Sequence, residues 1–237
     1  DHVEYGMLFE TRLPLLKKAA LRGYGRYGAE EQDFYRENED WLPDYSLFMA
    51  LKKHFSQKPY WEWPKEIRDR EESAMEHYRE LLVEDISSAE FNQFLFDRQW
   101  RDLKEYASRH EVEIIGDLPI YVAEDSADTW SHPELFMLDE NRRPTEVAGV
   151  PPDAFSAEGQ LWGNPIYNWA KHKETRYAWW VRRLEKAVER HDLVRIDHFR
   201  GFAGYYSVPG GSVNAIGGEW KKGPGMDLFR TLKEHIS

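Results

Sequence analysis

Two short apolar runs that each lead into an aspartate constrain the fold of this chain most strongly. VEIIG, from Val112 to Gly116, precedes Asp117, and LVRI, from Leu193 to Ile196, precedes Asp197. A strand buried on both faces tolerates charge only at its end or within a paired network. We therefore expect each run to form a strand, with its aspartate where the strand becomes a loop.

The segment between these runs completes a strand–helix–strand unit. Apolar residues recur at helical spacing just before the second run, at Tyr177, Trp180, Val181, Leu184 and Val188. The helix reaches the second strand within a few residues, whereas the long segment 118–172 follows the first strand. Long loops after parallel strands are typical of barrel enzymes, and a closed barrel has eight such units. With two clear strands, the chain is predicted to be an α/β protein that forms part of a (β/α)8 TIM barrel.

Glycine and proline divide the chain near residue 110. Of the 16 glycines 12 follow this position, as do 8 of the 12 prolines. We therefore predict a mainly α-helical subdomain over residues 1–110, inserted before a partial barrel over residues 111–237. Within the first part, Asp44 should cap a helix, Pro64 should open the next, and Ser87 with Glu90 should form a capping box. The last helix should end at about Arg109, with its apolar face at Phe96, Trp100, Leu103 and Ala107.

Composition restricts the class of partner. The formal net charge is −11 at pH 7, which argues against nucleic acid and anionic membranes. The sequence has no cysteine, and its first residues lack a signal-peptide pattern, so we expect no disulfide and a cytoplasmic location. Aromatic residues make up 15% of the chain, and some of their rings should lie near the surface, where they can serve as platforms for a ligand.

Other motifs give no independent site. GYGRYG, from Gly23 to Gly28, matches the dinucleotide-binding pattern, but a charged helical segment precedes it where a buried strand is required. The sequence has neither a Walker A motif nor a GxSxG elbow. Its 9 histidines show no i,i+2 or i,i+4 pairing, so we predict no metal site and no cofactor.

The aspartates at the strand ends have two interpretations. Each could cap the turn that follows its strand, as aspartate often does. Pro119 argues against a helix beginning at Asp117, and Arg195 and His198 flank Asp197 as positive neighbours. A carboxylate held by arginine stays ionised at neutral pH, as a nucleophile must.

The segment from Gly149 to Trp169 shows the pattern of neither strand nor helix. It carries rings that could stack on sugar faces, Phe155, Trp162 and Tyr167, and polar side chains that could bind hydroxyls, Asp153 and Asn164. Composition alone favours an ordinary ordered loop.

Long motifs in a fixed order resemble one enzyme family. They are IIGDLPIYVAEDSADTWSHPELF (114–136), GVPPDAFSAEGQLWGNPIYNW (149–169), VRIDHFRGF (194–202) and GEWKKGPG (218–225), with WLPDYSLFMALKKHF (41–55) resembling the family's helical subdomain. Together they resemble the 4-α-glucanotransferases (amylomaltases), glycoside hydrolase family 77 of the α-amylase clan. The resemblance implies transfer of a segment of an α-1,4-glucan to the 4-hydroxyl of another glucan or glucose, with retention of configuration.

The resemblance also implies roles for individual residues. Asp197 matches the nucleophile that forms a covalent glucosyl intermediate, and Arg195 would orient and ionise it. His198 would contact the sugar bound beside the nucleophile, and Asp117 matches a supporting aspartate of the clan. A further set of substrate-binding candidates falls in the family's mobile loop over the acceptor region: Asp153, Trp162 and Asn164.

The sequence departs from the family at the second carboxylate. A retaining glycosidase needs a carboxylic acid about 5 Å from the nucleophile to protonate the leaving oxygen. In the family this acid belongs to an EDLG motif, which the sequence lacks, and the His191–Asp192 pair precedes the second strand and should lie at the opposite end of the barrel. We therefore expect the chain to be a fragment that is inactive alone. The alternatives are a non-catalytic glucan-binding module and an α-glucan hydrolase of the same clan.

Overall fold

Among the described residues, helices dominate the first part of the chain and the strands lie in the second. The structure is a computed structural model that describes residues 2–236. One compact unit ends at Asp102 and a second begins at Leu103, so the boundary falls inside a long helix.

The first unit is built from helices. They are α1 (Tyr5–Gly23), α2 (Ala29–Glu37), α3 (Leu42–His54), α4 (Lys65–Arg68), α5 (Glu72–Leu81) and the start of α6 (Val83–Arg109), with a 3₁₀ turn at Tyr60–Glu62. Part of its core is an apolar cluster of Ala20, Phe34, Leu42, Phe91 and Phe94. Burial of these side chains supplies the stabilisation that short helices lack in isolation.

Two predicted helix caps are wrong. Asp44 lies in the first turn of α3, whose N-cap is Trp41, and its carboxylate instead pairs with Arg70 at 2.7 Å. Ser87 and Glu90 do not open a helix, because α6 already begins at Val83 and both residues lie inside it. A capping box is a local pattern, and burial of a helix face decided the boundary here.

The apolar face of α6 also differs from the prediction. The helix ends at Arg109, as expected, but its buried residues are Ser88, Phe91 and Phe94. Phe96 is 52% exposed and Leu103 is 51% exposed, so they lie on another side of the helix. The 3.6-residue period identified a helix without identifying the buried face, because α6 carries apolar residues on more than one side.

The second unit contains the strand–helix–strand arrangement expected from the sequence. Strands β1 (Ile115–Leu118) and β4 (Leu193–Ile196) pair in parallel. The helix α9 (Ala178–Arg190) precedes β4 and buries Trp179, Trp180 and Val181. The prediction for β4 is confirmed to the residue, whereas β1 begins three positions later than predicted and includes Asp117.

An antiparallel sheet accompanies this parallel pair, and the sequence analysis missed it. Its strands are β2 (Glu146–Val150), β3 (Gln160–Pro165), β5 (Gly204–Pro209) and β6 (Glu219–Lys222), in the spatial order β3-β2-β5-β6. The prediction that residues 149–169 contain no strand is therefore wrong. The sequence of β3, QLWGNP, includes glycine, asparagine and proline, which are depleted in strands, so propensity gave no signal.

An aromatic core supports both sheets of the second unit. It is formed around Tyr167, Trp180 and Phe202, each 1% exposed. Short elements border it: α7 (Ala127–Ser131), α8 (Trp169–Glu174), α10 (Met226–His235) and 3₁₀ turns at Pro133–Leu135 and Phe199–Phe202. Among the described residues, no helix has both the length and the apolar character needed to span a membrane.

Candidate active site

The carboxyl end of the parallel pair brings the two predicted aspartates together. In the β1–β4 register Asp117 lies opposite Arg195, and the backbone N–H of Asp197 donates to the Leu118 carbonyl at 2.9 Å. Parallel strands end at one edge, which is where α/β proteins form their sites. Both carboxylates therefore lie at the same end of the ladder.

Arg195 connects these two carboxylates. Its Nη2 donates to Asp197 Oδ1 at 2.8 Å, and its Nε lies 3.5 Å from Asp117 Oδ1. Arg195 and Asp197 are two residues apart, so their side chains leave the extended backbone on the same face. All three side chains are more than half exposed, and the cluster is open to a ligand from solvent.

The charge on Asp197 is stabilised by these contacts. The hydrogen bond from Arg195, assisted by the backbone N–H of His198, lowers the pKa of Asp197 below its ordinary value of 3.8. The hydrogen bond to Asp197, together with the charges of Asp117 and Asp197, raises the pKa of Arg195. Asp197 is therefore a carboxylate at neutral pH, which is the form that a nucleophile requires.

His198 follows Asp197 in a constrained backbone conformation. Its φ of 48° lies in the left-handed region, which is costly for a residue with a side chain. Its ring meets the Trp162 ring edge to face, with centroids 4.8 Å apart. Burial lowers the pKa of His198, and the charge of Asp197 only partly opposes this shift. A neutral imidazole beside the carboxylate can donate one hydrogen bond and accept another.

Trp162 provides an aromatic platform next to this histidine. It lies in β3, is 37% exposed, and donates from its indole nitrogen to Gln160 Oε1 at 3.1 Å. The centroid of the Tyr121 ring lies 6.4 Å from that of Trp162. A partly exposed ring fixed in this way is suited to stacking on a sugar face.

The remaining candidates of the 149–169 segment have local structural contacts. Asn164 donates from Nδ2 to the Val122 carbonyl at 2.8 Å, and the Asp153 carboxylate accepts from the backbone N–H groups of Phe155 and Ser156. Phe155 itself is 98% exposed. Tyr167, expected as a sugar platform, is 1% exposed, so that expectation is wrong. Its hydroxyl donates to the Ile120 carbonyl in the core.

The acidic residues Asp192 and Glu124 each contact partners outside the Asp197–Arg195–Asp117 cluster. Asp192 accepts from the backbone N–H of Ile114 at 2.8 Å, which puts the His191–Asp192 pair at the amino-terminal end of the ladder, as expected. Glu124 pairs with Arg143 at 2.9 Å, and burial raises the pKa of Glu124. Within the described residues, no group of three or more His, Cys, Asp and Glu side chains is arranged to hold a metal ion.

Sequence reasoning missed three residues that shape the site. Tyr121 supports Trp162, Gln160 accepts its indole N–H, and Gly201 lies close to His198. A Cβ on Gly201 would approach Ile120 Cδ1 to 2.7 Å and His198 Cδ2 to 3.2 Å. Tyr121, Gln160 and Gly201 all occur inside the motifs that carry the family resemblance, which is the one signal that could have found them.

Comparisons with known proteins relate this chain to one enzyme family. The family model described as 4-alpha-glucanotransferase, glycoside hydrolase family 77, matches residues 1–237. The 4-alpha-glucanotransferase of Clostridium butyricum is 44% identical over 237 residues, covering 100% of this chain and 49% of the relative. The Thermus thermophilus enzyme of the same name is 48% identical, covering 98% of this chain and 47% of the relative.

A solved structure shares the fold closely. The amylomaltase of Streptococcus agalactiae, solved in complex with acarbose, gives a TM-score of 0.94 at 46% identity, covering 99% of this chain and 48% of that one. The chain spans about half the length of the curated relatives it matches. On the family match along its whole length, this chain belongs to the 4-alpha-glucanotransferase family, glycoside hydrolase family 77.

Proposed function

We propose that the protein carrying this chain is a 4-α-glucanotransferase that moves a segment of an α-1,4-glucan onto the 4-hydroxyl of another glucan or of glucose. The observation that carries the proposal is the Asp197–Arg195–Asp117 cluster at the carboxyl end of a parallel ladder. Family membership and the acarbose complex of the S. agalactiae relative support an α-glucan as the ligand. We further propose that β1, α9 and β4 belong to a TIM barrel.

Asp197 acts as the nucleophile in this proposal. Its carboxylate attacks the anomeric carbon of the donor, a bond from carbon to Asp197 oxygen forms, and the bond to the leaving glucan oxygen breaks. A general acid protonates that oxygen. Its conjugate base later takes the proton from the acceptor hydroxyl, whose oxygen bonds to the anomeric carbon as the bond to Asp197 breaks. Arg195 orients Asp197 and keeps it ionised, while Asp117 pairs with the Nε of the same guanidinium.

The neighbouring residues bind the substrate in this proposal. His198 contacts the sugar bound at Asp197, and Trp162 stacks on the acceptor glucan. Asp153 and Asn164 keep the 149–169 segment folded beside the acceptor through their backbone hydrogen bonds. An ordered glucan that excludes water favours transfer over hydrolysis, because it reaches the intermediate first.

The general acid is the part of the mechanism that these residues do not supply. The family's EDLG motif does not occur in the sequence. We therefore expect a protein of these 237 residues alone to leave maltotriose unchanged. Activity from a native protein with a mass near 28.2 kDa would contradict this expectation and would require another acid, with Glu124, Glu158 and Glu219 as candidates. A role in carbohydrate metabolism and a cytoplasmic location stay predictions.

Disproportionation of maltotriose by the protein that carries this sequence tests the proposed function. Asp197→Asn should abolish the formation of glucose and longer glucans, because the amide is not a nucleophile. Asp192→Asn is the matched control at the amino-terminal end of the same ladder, and it should keep the activity. Undiminished transfer in Asp197→Asn would overturn the proposal, and products limited to glucose and maltose would indicate a hydrolase.

A further inference from the structure

The segment that follows β1, residues 119–121, lies beside two parts of the candidate site. Asp117 precedes it within the strand, and the Tyr121 ring within it supports Trp162 with centroids 6.4 Å apart. Ile120 lies so close to Gly201 that a Cβ there would approach Ile120 Cδ1 to 2.7 Å. Residues 119–121 therefore follow the strand that carries Asp117 and place the Tyr121 ring beside Trp162.

One arginine from α9 holds this segment in place. Arg183 Nη2 donates to the Pro119 carbonyl at 2.6 Å, and its Nη1 donates to the Ile120 carbonyl at 3.1 Å. Nη1 also lies 3.2 Å from the hydroxyl of Tyr167, which itself donates to the Ile120 carbonyl at 2.7 Å. These carbonyls lie beyond the β1 ladder, so without Arg183 they would lose their charge-assisted partner.

The guanidinium is itself fixed in a defined orientation. Its carbon lies 5.1 Å from the ring centroid of Trp179 and 5.0 Å from that of Trp180. Both rings are buried in α9, so the side chain of Arg183 is anchored on a rigid helix. A planar fork on such a base holds two donors at a fixed spacing for successive carbonyls, whereas the three donors of a lysine ammonium rotate on a flexible stem.

We propose that Arg183 is a positioning residue for the acceptor side of the site, which it controls by fixing residues 119–121 and so holding the Tyr121 ring against Trp162. The inference rests on the proposed transferase function. Arg183 acts through Tyr121, which sets the Trp162 platform against His198. A displaced platform orders the acceptor glucan less well, so water competes better for the glucosyl intermediate.

Kinetics of the protein that carries this sequence test the proposal. In Arg183→Gln the acceptor KM should rise, the hydrolysed share of product should increase, and kcat/KM for the acceptor should fall roughly 10- to 100-fold. Arg183→Lys should restore part of this loss. Tyr167→Phe, which keeps the ring but removes one donor to Ile120, should shift the same quantities less. The matched control is Arg176→Gln, which removes an exposed ion pair with Glu234 and should match the wild type.

A signal that does not depend on catalysis separates this inference from the proposed function. The His198 ring lies 4.8 Å from Trp162, so its imidazole NMR resonances are sensitive to the ring current of that tryptophan. They should move in Arg183→Gln and stay unchanged in Arg176→Gln. If Asp197→Asn shows that the proposed function is wrong, the His198 shift still tests the positioning. Wild-type acceptor KM together with unmoved His198 resonances in folded Arg183→Gln or Tyr167→Phe would overturn the inference.

Discussion

At the scale of single residues, His172 shows how burial without a hydrogen-bond partner lowers the pKa of a histidine. It is fully buried in α8 and surrounded by the rings of Tyr167, Trp169 and Trp179. Neither ring nitrogen has a hydrogen-bond partner of good geometry among the described residues, although the Leu135 carbonyl is close enough to favour the charged form weakly. Burial lowers the pKa of His172 from 6.5 to about 4.

This shift predicts a defined acid sensitivity. The unfolded chain protonates His172 near pH 6.5 and the folded chain only near about pH 4, so the unfolded state gains protons first as the pH falls. The contribution of neutral His172 to the free energy of unfolding is therefore fully present above pH 6.5. It is lost as the pH falls from 6.5 to 4, and the whole shift corresponds to about 3 kcal/mol. His172→Phe should reduce this dependence in urea melts at pH 7 and 4.5. The exposed His110→Gln should keep it, and equal pH dependence in wild type and His172→Phe would contradict the account.

Arg195 gives a second prediction at this scale. Its guanidinium lowers the pKa of Asp197, so Arg195→Gln should raise that pKa and leave Asp117 as a repelling neighbour. The acidic limb of the pH–activity profile for glucan transfer should therefore move to higher pH, with kcat lowered across the range. Arg176→Gln should leave the profile in place. An unmoved acidic limb in Arg195→Gln would mean that Arg195 does not control the ionisation of Asp197.

At the scale of elements, the sheet that carries Trp162 depends on close backbone packing. Gly149 in β2 has no room for a side chain, because a Cβ there would lie 2.6 Å from the Gln160 carbonyl oxygen of β3. Gly149→Ala should therefore separate β2 from β3, at a cost of about 1–3 kcal/mol, and displace Trp162. Gly204→Ala in β5 is the control, since its nearest contact is at 3.4 Å. Thermal unfolding and tryptophan fluorescence measure both effects, and equal stability of the two variants would contradict this reading.

The same elements show how far the sequence alone could go. LVRI predicted β4 correctly, because a compact apolar run before a charged cluster has few other solutions in an α/β fold. The strand β3 was missed, because its Gly163, Asn164 and Pro165 disfavour strands, and pairing with β2 outweighs that preference. Arg183 gave no signal, since its role depends on contacts with residues that are distant in sequence.

At the scale of the whole molecule, the sequence predicted the family more reliably than the fold. The motifs around Asp117 and Asp197 were sufficient to predict the family, and the match along residues 1–237 confirms that prediction. The roles of the site residues stay predictions. The exposure of Ile115 in β1 and Leu193 in β4, 65% and 54%, leaves apolar surface on the parallel pair, as expected if further barrel strands pack there.

Covalent labelling of the nucleophile tests the central claim most directly. A 5-fluoro maltosyl fluoride carries a leaving group that needs little protonation. Its ring fluorine slows the release of the sugar from the enzyme, so the fluoromaltosyl ester accumulates. The reagent should be applied to the protein that disproportionates maltotriose and its peptides analysed by mass spectrometry. We predict that the peptide containing Asp197 gains one fluoromaltosyl group and that Asp197→Asn gains none. A label on another residue, or full inactivation without a label on Asp197, would contradict the account.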